Sequence, residues 1–366
     1  MLRARSVFKA TGGKPAGGLG IAKIIGQCPI DYFLKLRYYF EIKWEKKMNR
    51  EQDFEISEDG VITKYIGVDT VITIPQTIRG IAVRAIGEDA FAENELTNVV
   101  IPEGVTEIGK SAFASNELTN VVIPNSVTKI DNDAFASNQL VNVVIPDSVI
   151  EISDSAFTNN QLVNVVIPNS VTKIGKRAFE SNQLANVIIP NSVMEIDFFA
   201  FAKNQLVNVV IPNSVTKIAS AAFAYNQLVS VVIPDGVTRI SADAFRENEL
   251  TDIVIPESIT EISSNAFTDN QLVNVVIPNS VTKIGYGAFK NNQLVNVVIL
   301  DSVTEIDYGA FVGNQLNSIT ILGTVSLPRK NQSPAFDNGF DDFYKSNKKK
   351  SGTYLFNGTN WEYKNE

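Results

Sequence analysis

The stretch NQLVNVVIPNSVTKIGKRAF, from Asn160 to Phe179, decides the fold because the chain repeats it almost letter for letter. Near copies begin at Asn182 and Asn204, and more lie on both sides. Phenylalanine recurs every 22 residues through eleven copies, at positions 91, 113, 135, 157, 179, 201, 223, 245, 267, 289 and 311. A fixed period of this length indicates a solenoid, in which each coil packs only against its neighbours.

Each copy divides into two short extended segments and a turn. In the copy that starts at Asn160, Leu162, Val165 and Ile167 have the spacing of inward residues, with Asn164 and Val166 between them, and the strand ends at Pro168, which has no N–H for a strand ladder. The letters NSVTKI then supply a turn and a second extended segment, and GKRAFESN supplies a tight turn or one helical turn. About seven side chains per coil are expected to face the core: Leu162, Val165, Ile167, Val171, Ile174, Ala178 and Phe179.

A single coil is too small to fold alone, because ordering its backbone costs more free energy than burying these side chains returns. Neighbouring coils must supply hydrogen bonds and cover the open edges. Identical side chains then fill identical gaps, so each core phenylalanine should lie on the next. The asparagines at 94 to 314 should form a second ladder, since a side-chain amide at a turn can satisfy backbone groups of adjacent coils.

A charged column precedes the core isoleucine of the second extended segment. Parallel strands lie about 4.8 Å apart, so charges of neighbouring coils should face each other. We interpret this column as a device for register and solubility, because a functional charge track would carry one sign. Its signs alternate except between Lys217 and Arg239, in the series Glu107, Lys129, Glu151, Lys173, Glu195, Lys217, Arg239, Glu261, Lys283 and Glu305.

The composition argues against most enzyme classes. The 366 residues include no histidine and one cysteine, Cys28, so His-dependent nucleophile pairs, most zinc sites and an internal disulfide are not expected. Carboxylate pairs occur only in the repeated columns and form no unique pocket. We therefore expect no enzyme activity and no cofactor. The net charge of −8 disfavours nucleic acid as a partner, and no apolar run is long enough to insert into a membrane.

Charge and pattern divide the chain into four regions. Residues 1–47 hold ten Lys/Arg and three Asp/Glu, whereas the rest holds 32 − 10 = 22 and 40 − 3 = 37, a net charge of −15. We interpret 1–47 as a basic extension outside the fold, with a targeting or tethering tail as the alternative. Residues 48–85 are expected to form an N-terminal cap, 86–322 the repeats, and 323–366 a C-terminal cap with a hairpin turning at Asn357-Gly358.

The segment VVIPNSVTKIGKRAF, with a strand ending in I-P, then V-x-x-I-G, then A-F, resembles the BspA-type, or Treponema pallidum-type, leucine-rich repeat. The resemblance covers residues 86–322. It implies a right-handed solenoid of about eleven coils, with a parallel β-sheet on the concave face and short strands and tight turns on the convex side. Family members are often surface-exposed or secreted and bind host proteins, matrix or other cells. Neither an export signal nor an LPxTG anchor is recognisable in this sequence, so a cytoplasmic location is the alternative.

Two columns of outward positions on the first strand are the candidate partner-binding site. Along the sheet they would form a valine stripe about 45–50 Å long beside a row of asparagines. A contiguous exposed apolar stripe indicates interaction, but β-branched residues are also simply good strand formers. The candidate residues are Asn120, Val122, Asn142, Val144, Asn164, Val166, Asn186, Ile188, Asn208 and Val210.

A second candidate is an aromatic patch on the turns, formed by Phe198, Phe199 and Tyr225, where most other coils carry polar residues. It would be either an interaction hot spot or local packing. The sequence as a whole predicts a non-enzymatic, monomeric module that binds a protein or matrix ligand through its concave sheet. The alternative is an intracellular interaction scaffold with the same solenoid.

Overall fold

The computed structural model describes residues 49–328 and 333–364, so the predicted basic extension, 1–47, lies outside the described residues. Within that range the chain is a parallel-strand solenoid with a spacing of 22 residues per coil. Most coils contribute the same two short strands, as the two extended segments of the repeat predict. Side chains of the first strand point alternately inward and outward, with Val165 buried between the exposed Asn164 and Val166.

The first strands of the coils form the main sheet, in which equivalent residues pair in register, as Val144 does with Val166. The ladder runs from Val71 to Val231 and reaches Val254 through one isolated bridge. It lapses through the coils at 252–255 and 274–277 and resumes at Asn296. The strands are Val71–Thr73, Asn98–Val100, Asn120–Val122, Asn142–Val144, Asn164–Val166, Asn186–Ile188, Asn208–Val210, Ser230–Val231, Asn296–Ile299 and Ser318–Ile321.

The second strands of the coils form a second column, in which they pair parallel within three separate sheets. The members are Ala85–Ile86, Glu107–Ile108, Lys129–Ile130, Glu151–Ile152, Lys173–Ile174, Glu195–Ile196, Lys217–Ile218, Arg239–Ile240, Glu261–Ile262, Lys283–Ile284 and Glu305–Ile306. The column is interrupted after Ile130 and after Ile218. At both interruptions a serine hydroxyl, of Ser153 or Ser241, donates to the preceding coil's carbonyl oxygen at 2.6 Å.

The charged residues of this column form five separate ion pairs rather than a continuous ladder. Each pair joins two successive coils, and the next step along the column has no ion pair among the described residues. The like-charged step between Lys217 and Arg239 falls at the second interruption of the column. The pairs are Glu107–Lys129, Glu151–Lys173, Glu195–Lys217, Arg239–Glu261 and Lys283–Glu305, with N···O distances of 2.6, 2.9, 3.5, 3.0 and 3.1 Å.

A stack of phenylalanine rings runs through the core along the length of the repeats. From Phe91 to Phe311 successive ring centroids lie 5.0 to 5.8 Å apart, and the stack ends on Phe336 at 4.9 Å. Tyr65 lies on Phe91 at the opposite end, 5.6 Å away. Aromatic pairs gain roughly 0.5–1.5 kcal/mol beyond their buried area, so the stack fixes the register of each coil on the next.

Before the repeats, Glu51–Asp53 forms a turn of 3₁₀ helix, and Phe54–Ile56 pairs antiparallel with Val61–Tyr65. A two-stranded hairpin, Thr77–Ile78 with Ile81–Ala82, follows. After the repeats, the single α-helix of the described residues, Phe340–Ser346, precedes a second hairpin. Its strands, Gly352–Phe356 and Trp361–Lys364, pair antiparallel, and the first of them pairs with the last strand of the main sheet. Phe54 and Phe340 of these elements are fully buried at the two ends of the core.

Candidate functional site

The candidate site is the outward side of the main sheet, which we call the strand face. All five apolar candidates are exposed, because each occupies an outward position between two buried residues. The asparagines beside them are exposed at 164, 186 and 208 and half-buried at 120 and 142. Register brings equivalent candidates together, so that Ile188 pairs with Val210 and Asn186 with Asn208. The two predicted columns therefore lie on the same side of the sheet, two residues apart along each strand.

Exposure along the valine column changes abruptly between Val166 and Ile188. Side chains from Val100 to Val166 are 40–45% exposed, whereas the next five are 74–79% exposed. Val298 returns to 44%. The five most exposed positions, which we call the open stripe, are Ile188, Val210, Val232, Val254 and Val276. With strands about 4.8 Å apart, the open stripe is roughly 19 Å long.

A second apolar column lies beside the first and was not assigned from the sequence. Each member precedes a valine of the first column by three residues, and its side chain is 37–41% exposed. The first valine in QLVNVV was the signal, since this apolar residue stands directly before the outward asparagine. The second column consists of Val141, Val163, Val207, Val229 and Val273.

The strand face carries no basic residue. In the eleven segments that begin at Asn94 and recur every 22 residues to 314–324, no lysine or arginine occurs. Nine carboxylates occur there instead: Glu95, Glu103, Glu117, Asp147, Asp235, Glu249, Asp252, Glu257 and Asp301. Four of the nine flank Val232 and Val254 of the open stripe. The charged residues of this face are therefore all acidic, and the segments that begin at Asn160, Asn182, Asn204, Asn270 and Asn314 carry no charge.

The aromatic patch is not one cluster. Phe198 is 42% exposed, Phe199 lies under the guanidinium of Arg177 at 5.4 Å, and Tyr225 lies under that of Arg246 at 5.8 Å. Among the described residues no ring contact joins these three side chains. Phe199 and Tyr225 have positive φ angles of 57° and 59°, at turn positions where most other coils also adopt positive φ. Two of the three rings are thus engaged with an arginine of the solenoid itself.

The turns also form a shallow polar depression of about 380 Å³. The nearly buried carboxylate of Glu180 lies in it, 2.9 Å from Nζ of Lys203 and 3.4 Å from Nε of Arg177. Asp133, Ser155 and other polar residues complete the lining. The described residues contain no group of three side chains suited to a metal ion.

These features define a solenoid of stacked leucine-rich coils with an extended sheet face. In this class of fold the stacked coils present an interaction surface. A family model described as "BspA type Leucine rich repeat region (6 copies)" matches residues 70–185, 106–229, 150–273 and 216–339. The chain belongs to this family. The resemblance inferred from the repeated motif is thereby confirmed.

Several solved structures are similar. A leucine-rich cell surface protein from Faecalibacterium prausnitzii is 29% identical, with 74% of this chain and 93% of that chain covered and a TM-score of 0.46. The leucine-rich repeat protein of Treponema pallidum is also 29% identical, over 44% and 81%, with a TM-score of 0.40. The pneumococcal vaccine antigen PcpA is 18% identical, over 82% and 96%, with a TM-score of 0.54, and shows the fold alone. No curated protein gives a significant match.

The described part of the chain contains no helix of sufficient length and apolarity to span a bilayer.

Proposed function

We propose that this protein is a non-enzymatic binding module of a bacterial surface or secreted protein, and that it holds a protein or matrix ligand on its strand face. The observation that carries the proposal is the open stripe. Five β-branched side chains stand in one line, each about three-quarters exposed, and such contiguous apolar surface is costly unless a partner covers it. The uniformity of the line suits an extended or repetitive partner better than a small molecule.

Family membership supports the surface location, since the similar Faecalibacterium prausnitzii structure is described as a cell surface protein. Protease treatment of intact source cells tests this part. Loss of the chain from intact cells supports the proposal. Protection until the cells are lysed contradicts the surface location and favours the intracellular scaffold.

Site-specific photo-crosslinking tests the face. A photoreactive amino acid replaces Val232 in the open stripe, and a control variant carries it at Ser220 on the turns. Adducts that form from position 232 and not from position 220 support the strand face. Adducts only from position 220, or none from position 232 in the native setting, contradict it. Circular dichroism checks that both variants fold.

A further inference from the structure

We propose that the partner of the strand face is a basic, extended polypeptide segment that lies along the open stripe. This inference rests on the proposed function and names the chemistry of its ligand. It follows from the distribution of charge on the solenoid, which differs between the strand face and the rest of the coil.

Basic residues of the coils lie on the second strands and the turns, where acidic residues already pair with them. Lys173 and Lys217, for example, each contact a glutamate of the preceding coil. Lys203 and Arg177 share Glu180 in the same way. The cations of the repeat region are thus largely neutralised inside the solenoid.

The acidic residues around the open stripe have no such partners. Asp235, Glu249, Asp252 and Glu257 are all exposed, and none forms an ion pair within the described part of the chain. Two of them replace residues that are uncharged in most other coils, Asp252 at an asparagine position and Glu249 at a glutamine position. The strand face therefore combines an apolar line with unpaired negative charge.

A partner that fits this surface must cover valine side chains and place cations beside them. A lysine- or arginine-containing strand-like segment does both, because its alternate side chains can contact the open stripe while the others reach the flanking carboxylates. Nucleic acid and acidic polypeptides would meet like charge. Lysine and arginine also have long aliphatic stems that pack on apolar surface.

The test uses three labelled peptides of about ten residues, in which valine alternates with lysine, glutamine or glutamate. Fluorescence anisotropy measures their binding to the full chain at low and at high salt. The lysine peptide should bind about tenfold more tightly than the glutamine peptide and lose this advantage as salt rises. The glutamate peptide should not bind.

Matched variants locate the site. Glu249→Gln with Asp252→Asn should weaken the lysine peptide about fivefold and leave the glutamine peptide unchanged. The control, Glu117→Gln with Asp147→Asn, neutralises the same face far from the open stripe and should have little effect. Val232→Ser with Val254→Ser should weaken both peptides, whereas Val122→Ser with Val144→Ser should not.

Equal binding of the lysine and glutamine peptides overturns the inference, as does equal loss in the control variants. A cross-link from position 232 combined with no preference for lysine leaves the proposed function standing and rejects the basic partner. The absence of any cross-link from that position rejects the proposed function itself.

Discussion

The side-chain nitrogen of Asn160 donates a hydrogen bond to the carbonyl oxygen of Phe135, 25 residues earlier, at 2.9 Å. The same amide reaches the carbonyl of Phe157, and its oxygen accepts from the backbone N–H of Leu140 at 3.0 Å. One buried side chain therefore satisfies groups from two coils. The arrangement recurs at the other asparagines of this column, from Asn116 to Asn314. The asparagine ladder expected from the sequence is present in the structure.

Replacing Asn160 by alanine should lower the free energy of unfolding by about 3 kcal/mol or more, because it leaves buried backbone groups of two coils without partners. Urea unfolding followed by circular dichroism measures the change. Asn164→Ala is the matched control. Asn164 is exposed on the strand face and makes no side-chain hydrogen bond with a described residue, so its loss should change stability little. Similar losses in both variants would contradict this account of the ladder.

Phe179→Ala should cost about 3–5 kcal/mol, since it opens a cavity in the middle of the ring stack. Both neighbouring rings, Phe157 and Phe201, lose their partner at once. Val166→Ser, on the outward side of the same region, should cost much less. Chemical denaturation of both variants checks the pair, and a large loss for Val166→Ser would show that this valine is not a surface residue in solution.

Ser241→Ala should destabilise the interface between two coils by about 1 kcal/mol, because the Ser241 hydroxyl donates to the carbonyl oxygen of Ile218 at an interruption of the second column. Hydrogen exchange should accelerate at the amides of these two coils and not elsewhere. Ser264→Ala removes a half-buried hydroxyl without a described hydrogen bond and serves as the control. Unchanged exchange in Ser241→Ala would mean that the hydroxyl does not hold the interface together.

The carboxylate of Asp341 makes stability near the C-terminal helix depend on pH. Burial raises the pKa of Asp341 above its ordinary value of 3.8, although the backbone N–H groups of Ala335 and Phe336 donate to it and oppose the shift. The folded chain then holds this proton at pH values where the unfolded chain has released it. Its contribution to the free energy of unfolding therefore falls as pH rises from the ordinary pKa through the raised pKa.

Asp341→Asn should remove that slope and leave the rest of the pH profile unchanged. Denaturation at several pH values measures it, with fluorescence of Trp361 as the local signal. Trp361 packs on Phe340 at 4.9 Å and so reports on the same region. A Trp44→Phe background removes the other tryptophan. Parallel profiles for the two proteins would show that Asp341 has no raised pKa in the folded state.

The sequence was sufficient to predict the period, the ring stack and the outward columns, because each depends on side chains that recur at fixed spacing. Phe179 had to lie on Phe201 once coils of equal length were stacked. The open stripe could not be predicted, since Val166 and Val210 occupy nearly identical sequence contexts but differ almost twofold in exposure. The repeated local pattern therefore does not determine how far each outward valine is exposed.

The charged column was predicted only in part. Alternating signs indicated contacts between coils, but each lysine pairs with one glutamate neighbour and not with both. The ammonium group of Lys129, for example, contacts Glu107 of the preceding coil at 2.6 Å and Asp131 of its own coil at 2.8 Å. Asp131 and Glu107 together raise the pKa of Lys129. Which two coils form an ion pair therefore depends on which carboxylate a lysine side chain can reach, and the alternating signs along the column do not decide it.

The interruptions of the two strand columns never fall at the same interface between coils. The second column is interrupted between Ile130 and Glu151 and between Ile218 and Arg239. At these two interfaces the main sheet still joins the coils, because Asn120 pairs with Asn142 and Val209 with Val231. Where the main sheet lapses, near Val276, the second column remains paired through Ile284. At each of these interfaces one of the two strand columns therefore remains hydrogen-bonded. Under a pulling force, we expect the coils to detach one at a time from an end of the solenoid, rather than the solenoid to break in its middle.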